Sequence, residues 1–177
     1  DAVSETKTVT ITVTGTNDSP VATDDTQTTE ENTVLESSVP EAEDVDGTIA
    51  SYTLVADVGE GNGTLTFDTD GSYSFDPGTD FDDLADGEER EVSFTYFATD
   101  NSDAVSETKT VTITVTGTND AAVITGTITG DVTEDVTLTA SGTLEVSDPD
   151  TGESVFEAVD AEDLTGTYGS WAFNSTS

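Results

Sequence analysis

Acidic and amide side chains are grouped in short polar stretches, and these groups are the residues of this chain best suited to chemistry. Two of the groups have the spacing Asp-X-Asp, at Asp44 and Asp46 and again at Asp148 and Asp150. In a loop, this spacing lets both carboxylates reach a single ion. The other groups are Asn17 with Asp18, Asp24 with Asp25, Glu30 with Glu31, Asn119 with Asp120, Glu134 with Asp135, and Asp100. Several oxygen ligands in loops suit Ca²⁺ better than Mg²⁺, which demands strict octahedral geometry.

Most other chemistry is excluded by residue type. The chain contains no cysteine, histidine or methionine. Disulfides, thiolate nucleophiles, imidazole bases and the usual zinc or haem ligands are therefore absent. The triplet Asp150-Thr-Gly resembles that of aspartic proteases, but it lies in a polar stretch and has no second copy. We expect no enzyme activity.

Many of the acids have ordinary structural explanations. We expect Asp24, Asp25, Asp57 and Asp80 to be solvated loop residues. The Asp68 and Asp70 side chains lie in an Asp-Thr-Asp-Gly turn, where they can accept hydrogen bonds from nearby backbone amides. The ion-binding hypothesis is therefore restricted to the groups that recur where strands are expected to end.

The net charge restricts the partners. The 177 residues include 39 Asp and Glu but only three cations, which gives a formal net charge of −36. Lys7, Arg90 and Lys109 are too few to neutralise a row of phosphates, so nucleic-acid binding is excluded. An anionic membrane surface would repel the chain, and no apolar run approaches the roughly 18 residues needed for insertion.

An exact internal repeat defines the organisation. The sequence DAVSETKTVTITVTGTND at 1–18 recurs unchanged at 103–120. We therefore divide the chain into the last strand of a preceding repeat (1–18), one complete repeat (19–119) and the first part of a further, incomplete repeat (120–177). A period of about 100 residues is the size of an immunoglobulin-like sandwich and exceeds that of solenoid repeats.

The elements that must position the acidic groups are strands. In TVTITVT, Val111, Ile113 and Val115 alternate with threonines, which is typical of a strand with one buried face. The predicted strands of the complete repeat cover 21–28, 32–36, 49–56, 64–67, 72–75, 91–98 and 105–115. Seven strands in about 100 residues predict an all-β fold of tandem immunoglobulin-like or cadherin-like antiparallel β-sandwiches joined by short linkers.

The two ends of the chain pose a pairing problem. The strand at 1–18 has no domain of its own here, and the unit at 120–177 has no counterpart of the closing VTITVTGTND strand. An incomplete sandwich would expose sheet edges. We predict that 1–18 either frays or pairs outside its own chain, by strand exchange or by supplementing an open edge.

Several motifs together resemble a known family. TGTNDSPVATDD, EENTVLE, DVDGT, FDDLADGEE, FTYFATDNSDAVSE and TVTITVTGTND are similar to cadherin-like repeats, and GTITGDVTED with ASGTLEVSDPDTGES and TYGSWAF is similar to the first half of a VCBS unit. Such repeats occur in giant bacterial surface adhesins of the RTX type. The resemblance implies extracellular extension modules on the bacterial surface, type I secretion, and Ca²⁺ at the junctions between sandwiches.

The resemblance also implies two ligand sets. At the N-terminal junction, the linker residues Asn17 and Asp18 would join acids from the head of the following domain, namely Asp44, Asp46 and Asp100. At the C-terminal junction, the linker residues Asn119 and Asp120 would join Asp148 and Asp150 from the next unit. The base of the complete repeat would add Glu30 or Glu31, together with Glu88.

The function implied is that of a spacer stiffened by Ca²⁺, whose partners are the neighbouring repeats of the same chain. The alternative is a sandwich module that binds a glycan or a surface directly. Tyr168, Trp171 and Phe173 could form a stacking face for a sugar, but we expect these side chains to pack in a core. Because an exact duplication more simply supplies reach, we expect any adhesive ligand to be bound by another domain.

Overall fold

The computed structural model describes residues 1–159, 165–166 and 169–175. Within these ranges the chain is all-β and forms no helix, which confirms the predicted fold class. No helix in the described residues is long and apolar enough to cross a membrane. Residues 20–117 contain the principal sandwich, and a smaller pair of strands follows the linker.

The complete repeat contains seven strands, as the sequence predicts. Their bounds are β1 (Asp25–Glu30), β2 (Leu35–Ser38), β3 (Ile49–Ala56), β4 (Thr64–Phe67), β5 (Ser72–Asp76), β6 (Glu89–Asp100) and β7 (Lys109–Thr116). One sheet has the order β1-β7-β6-β3 and the other the order β2-β5-β4. The hairpin of β4 and β5 closes at Gly71, whose φ of 91° is in the left-handed region that glycine adopts without strain.

One pairing differs from the antiparallel arrangement expected. Strands β1 and β7 are parallel, with Asp25 opposite Val111 and Glu30 opposite Thr116, whereas the other pairs in both sheets are antiparallel. Strand β1 also begins later than predicted, because Val21 makes only an isolated bridge to Glu43. Alternation along a strand identifies its buried face but carries no information on the direction of its neighbour.

Aromatic residues join the two sheets across the core. Phe94 of β6 packs edge-on against Tyr73 of β5 at 4.9 Å between ring centroids and against Phe67 of β4 at 5.9 Å. Phe75 packs edge-on against Phe81 at 6.3 Å. Edge-to-face packing adds to the large apolar area that these rings bury, so they dominate the cohesion of the sandwich.

The duplicated strand occurs in two different environments. In β7, Ile113 is completely buried together with Val111 and Val115. The equivalent Ile11 is 81 % exposed, and residues 1–19 are all exposed and form no strand. A sequence that is amphipathic in a sheet therefore has no buried face where partner strands are missing.

The unit after the linker contains short strands. They are β8 (Val123–Gly126), β9 (Leu144–Ser147), β10 (Thr165–Gly166) and β11 (Gly169–Ser170), and they pair antiparallel as β8 with β9 and β10 with β11. Apolar side chains between β8 and β9 remain exposed, among them Ile128 and Leu138.

Candidate functional site: two interdomain junctions

The N-terminal junction is formed where the linker meets the loop before β3. The amide of Asp18 donates to the Asp46 carboxylate at 3.2 and 3.4 Å. One oxygen of Asp44, Oδ1, accepts from the amides of Asp46 at 3.0 Å and Gly47 at 2.8 Å. The two acids of the first Asp-X-Asp pair are therefore fixed by backbone donors, and one of these donors belongs to the linker.

Asp100 completes this end of the sandwich. It is 1 % exposed at the end of β6 and accepts a 2.7 Å hydrogen bond from the Asn17 side chain. The amides of Ser102 and Ala104 donate to its other oxygen. The Asn17 bond lowers the pKa of Asp100, and the two backbone amides act in the same direction against the effect of burial. The structure thus brings all five residues of the predicted N-terminal set together.

The C-terminal junction begins at the base of the same sandwich. Glu31, immediately after β1, is 1 % exposed, whereas Glu30 is exposed. Oε1 of Glu31 accepts from the backbone amide of Thr118 at 2.7 Å and from its hydroxyl at 2.8 Å. Of the two alternatives left open by the sequence, Glu31 is the one that faces the outgoing linker.

The following unit supplies the second Asp-X-Asp pair. Oδ2 of Asp150 accepts from the Asp120 amide at 2.9 Å, and the Asp150 amide donates to Asp148 at 3.1 Å. Asp150 is 1 % exposed. The Asn119 side chain donates to the Asp120 carbonyl, as Asn17 does to that of Asp18. The identical linkers therefore adopt the same local contacts at both junctions.

Negative charges are concentrated around Asp120. Burial raises the pKa of its carboxyl, and nearby carboxylates raise it further. In decreasing order of effect, these carboxylates are Glu31, Asp150, Asp82 and Asp148. Acids from the sandwich, the linker and the next unit therefore repel one another at this junction, which is the arrangement that a cation would relieve.

Carboxylate oxygens without a hydrogen-bond partner indicate whether the two predicted ligand sets suit a cation. Among the described residues, four buried side-chain atoms have no hydrogen-bond partner, and three of them are Oδ2 of Asp44, Oε2 of Glu31 and Oδ1 of Asp150. In each case the second oxygen of the same carboxylate is held by backbone amides. A buried, anchored carboxylate with a free oxygen fits a hard cation such as Ca²⁺. No three Asp or Glu residues in the described ranges are already arranged as a metal site.

Two further acidic residues lie at the base of the sandwich: Glu88, which belongs to the predicted C-terminal set, and Asp82, which does not. Glu88 is exposed, and its Oε2 accepts from the Ala85 amide at 3.4 Å within its own loop. Asp82 is half-buried and raises the pKa of Asp120. The only sequence signal for Asp82 is the acidic pair in FDDL, which is indistinguishable from the other acidic pairs of this chain.

Two of the three aromatic residues named near the C-terminus, Trp171 and Phe173, line one cleft. Trp171 is 70 % exposed beside an open cleft of about 850 Å³, and Phe173 packs edge-on against Phe156. Tyr168 lies outside the described residues. Trp171 is therefore exposed and does not pack in a core as predicted.

Known proteins provide an independent comparison. The extracellular cadherin domains 3–6 of protocadherin gamma B2 are similar over 77 % of this chain and 33 % of that chain, at 21 % identity and a TM-score of 0.45. Fibronectin(III)-like modules of Clostridium thermocellum CbhA are similar over 56 % of this chain and 47 % of that chain, at 18 % identity and a TM-score of 0.32. No curated protein matches the chain.

The family model for the bacterial cadherin-like domain matches residues 17–117. This range begins at the incoming linker, ends at the outgoing linker and contains all seven strands of the sandwich. It covers more than half of the chain. The protein therefore belongs to the bacterial cadherin-like domain family, whose members are extracellular adhesion-type β-sandwiches.

Proposed function

We propose that this chain is a Ca²⁺-rigidified extender of a giant secreted bacterial adhesin, in which it projects a distal adhesive domain from the cell surface. The observation that carries the proposal is the set of buried, unpartnered oxygens on Asp44, Glu31 and Asp150, which lie at the two junctions of one sandwich. The family context supports it, since cadherin-like domains generally bind Ca²⁺ and are extracellular. RTX-type architecture, type I secretion and a role in biofilms are part of the same proposal.

The mechanism depends on charge at the two linkers. Without an ion, each close pair of carboxylates costs on the order of 1 to 4 kcal/mol, depending on the local dielectric. Because the acids of the C-terminal set come from both sides of the linker, this repulsion weakens the contact between the adjacent units. Bound Ca²⁺ would supply the positive charge that holds the two sides together.

The residues on each side have separate tasks in this mechanism. At the C-terminal junction, Ca²⁺ would be bound by carboxylates from three parts of the chain. Glu31 supplies one from the base of the sandwich, Asp120 one from the linker, and Asp148 with Asp150 two from the next unit. At the N-terminal junction, the linker contributes Asn17 and Asp18, and the sandwich contributes the three acids already described. Extracellular Ca²⁺ modules bind in the range of about 0.1 to 1 mM, which would make the chain pliable in the cytosol and stiff outside the cell.

Calorimetric titration of the calcium-free chain tests the proposal. Wild-type protein should bind Ca²⁺ in the submillimolar to millimolar range and Mg²⁺ more weakly. The Glu31→Gln variant preserves the shape of the side chain but replaces one of the two carboxylate oxygens with an amide NH₂ group, which donates hydrogen bonds and carries no charge. We expect it to lose binding at the C-terminal junction and retain binding at the N-terminal one. At a hundredfold excess over its dissociation constant, each lost site removes about 2.7 kcal/mol of stabilisation.

Glu36→Gln is the matched control, because it makes the same change at an exposed position of β2 whose carboxylate accepts from Ser74. It should bind Ca²⁺ as the wild type does. The absence of Ca²⁺ binding in wild-type protein, or equal binding by the two variants, would contradict the proposed site.

Direct glycan binding is a second candidate, favoured by the exposed Trp171 beside the cleft of the last unit. An exposed indole is suited to stacking on a sugar ring. A glycan array probed with the wild type and with Trp171→Ala separates the two functions. Binding that requires Trp171 would favour the glycan-binding module over a simple spacer.

A further inference from the structure

Arg90 is held by three kinds of contact at the base of the sandwich. Its guanidinium donates to both oxygens of Asp83, at 2.9 and 2.8 Å, and to the carbonyl of Asp80 at 3.1 Å. It also lies 5.3 Å from the ring centroid of Phe81, which is completely buried. Within the described part of the chain, the other two cations form ion pairs only with exposed glutamates two residues away, Lys7 with Glu5 and Lys109 with Glu107.

The segment that Arg90 holds is a tight turn packed against the end of β7. The Leu84 amide donates to the Phe81 carbonyl at 2.9 Å, which closes the turn. A Cβ added to Gly117 would lie 2.4 Å from the Ala85 carbonyl oxygen and 2.5 Å from that of Leu84. The turn is therefore in close contact with the residue that begins the outgoing linker, and only glycine permits that approach.

The same turn contacts the next unit directly. The Thr151 amide donates to the Asp83 carbonyl at 3.2 Å. Thr151 follows Asp150, the buried acid of the second Asp-X-Asp pair. Arg90 thus holds the side chain of Asp83 while the backbone of Asp83 receives a hydrogen bond from across the junction.

We propose that Arg90 is a positioning residue that orders the turn at 80–84 as a docking surface for the loop around Thr151, so that the two units are aligned without an ion. This inference goes beyond the proposed function, because the hydrogen bond across the junction joins two backbone groups and requires no bound ion. The partner is the following unit of the same chain.

The choice of arginine follows from geometry. The guanidinium donates to both Asp83 oxygens from Nη2 and to the Asp80 carbonyl from Nη1, while its Cζ lies 5.3 Å from the Phe81 ring centroid. The ammonium group of lysine keeps the charge, but its single nitrogen cannot take the place of two nitrogens that serve the carboxylate and the carbonyl separately while the group contacts the ring. Arg90→Lys should therefore restore only part of the alignment lost in Arg90→Ala.

Amide hydrogen exchange at Thr151, followed by NMR with excess chelator, measures the contact directly. Arg90→Ala should speed exchange of this amide by roughly three- to tenfold, which corresponds to the loss of one ordinary hydrogen bond. Arg90→Lys should give an intermediate rate. The amides of Phe94 and Tyr96 in the core of β6 should exchange as in the wild type. A general loss of stability would accelerate those amides as well.

Lys7→Ala is the charge-matched control, because it removes one cation from an exposed segment far from the junction, and it should leave Thr151 unchanged. Asp83→Asn provides a second variant that weakens the same pair if Arg90→Ala fails to fold, and it should also accelerate Thr151. Unaltered Thr151 exchange in a folded Arg90→Ala or Asp83→Asn protein overturns the inference. Because chelator is present throughout, this result is independent of whether Ca²⁺ binds.

Discussion

At the scale of single residues, acidic side chains differ in whether their second carboxylate oxygen is buried without a hydrogen-bond partner. Oδ1 of Asp70 accepts from both the amide and the hydroxyl of Ser72, and the hydroxyl bond is the main cause of its lowered pKa. Asp70 is therefore the turn former that its sequence position predicts. Glu31 instead has one anchored oxygen and one buried oxygen without a partner. Asp44 and Asp150 also have such an oxygen, so burial distinguishes the two classes and residue type does not.

Burial of a tyrosine gives a prediction about alkaline pH. Burial raises the pKa of Tyr96 from 10.0 to about 12, and its hydroxyl donates to the Thr23 carbonyl at 2.7 Å. The unfolded chain loses this proton near pH 10, whereas the folded chain retains it. Tyr96 therefore contributes stability that is complete below pH 10 and is lost as the pH rises through 12.

Urea unfolding of wild type and Tyr96→Phe between pH 8 and 12 measures this effect. The variant keeps the ring and loses the hydrogen bond, so it should be less stable at pH 8 by about 0.5 to 1.5 kcal/mol. Its stability should then fall less steeply with pH. Some alkaline loss should remain, because burial also raises the pKa of Tyr73. Equal pH slopes for the two proteins would contradict the assignment.

At the scale of elements, the sequence predicts what depends on local pattern. The alternation of valine and isoleucine identifies β7 and its buried face, and Asp-Gly identifies the hairpin of β4 and β5. What depends on distant partners is not predictable from the pattern. Asp24 was expected to be solvated, yet its carboxylate accepts from the Thr110 amide at 2.8 Å, next to the unexpected parallel pairing of β1. A contact between two residues that are 86 positions apart leaves no signal in a short stretch of sequence.

The two copies of the same strand offer a matched pair of substitutions. Ile113→Ala should destabilise the sandwich by about 2 to 5 kcal/mol, because it leaves a cavity in the core. Ile11→Ala makes the same change in an identical sequence context at an exposed position and should alter stability by less than about 0.5 kcal/mol. Thermal or urea unfolding of the two variants measures the difference.

The Ile11→Ala variant also tests the hypothesis that segment 1–18 pairs outside its own chain. If this segment takes part in strand exchange or supplements an open edge, Ile11→Ala should reduce self-association in sedimentation experiments while leaving the stability of the sandwich unchanged. A destabilised Ile11→Ala monomer would contradict the exposed position of the segment.

At the scale of the whole molecule, the two junctions lie at opposite ends of one sandwich. Asp100 and Asp44 are at the end where β7 begins, and Glu31 is at the end where β7 finishes. With a net charge of −36, the units of the chain repel one another wherever no cation intervenes. The relative position of the units should therefore depend on ions more strongly than the fold of the sandwich does.

Small-angle X-ray scattering with Ca²⁺ or with chelator measures this dependence. Wild-type protein should have a narrower distribution of interunit distances with Ca²⁺, whereas Glu31→Gln should respond less. Sodium chloride at about 1 M, where the Debye length is about 3 Å, is the control for simple screening. Sodium chloride that reproduces the full Ca²⁺ effect, or scattering that is the same with Ca²⁺ and with chelator, would contradict rigidification by a specific site.

The parallel pairing of β1 with β7 determines how the sandwich carries a pulling force. The chain enters beside the start of β1 and leaves beyond the end of β7, so tension on the two linkers slides these strands past each other lengthwise. The six registered residue pairs from Asp25 with Val111 to Glu30 with Thr116 then share the load simultaneously. An antiparallel pair at the same place would open one hydrogen bond at a time. The direction of a single strand thus gives the repeat its resistance to being drawn apart by its ends.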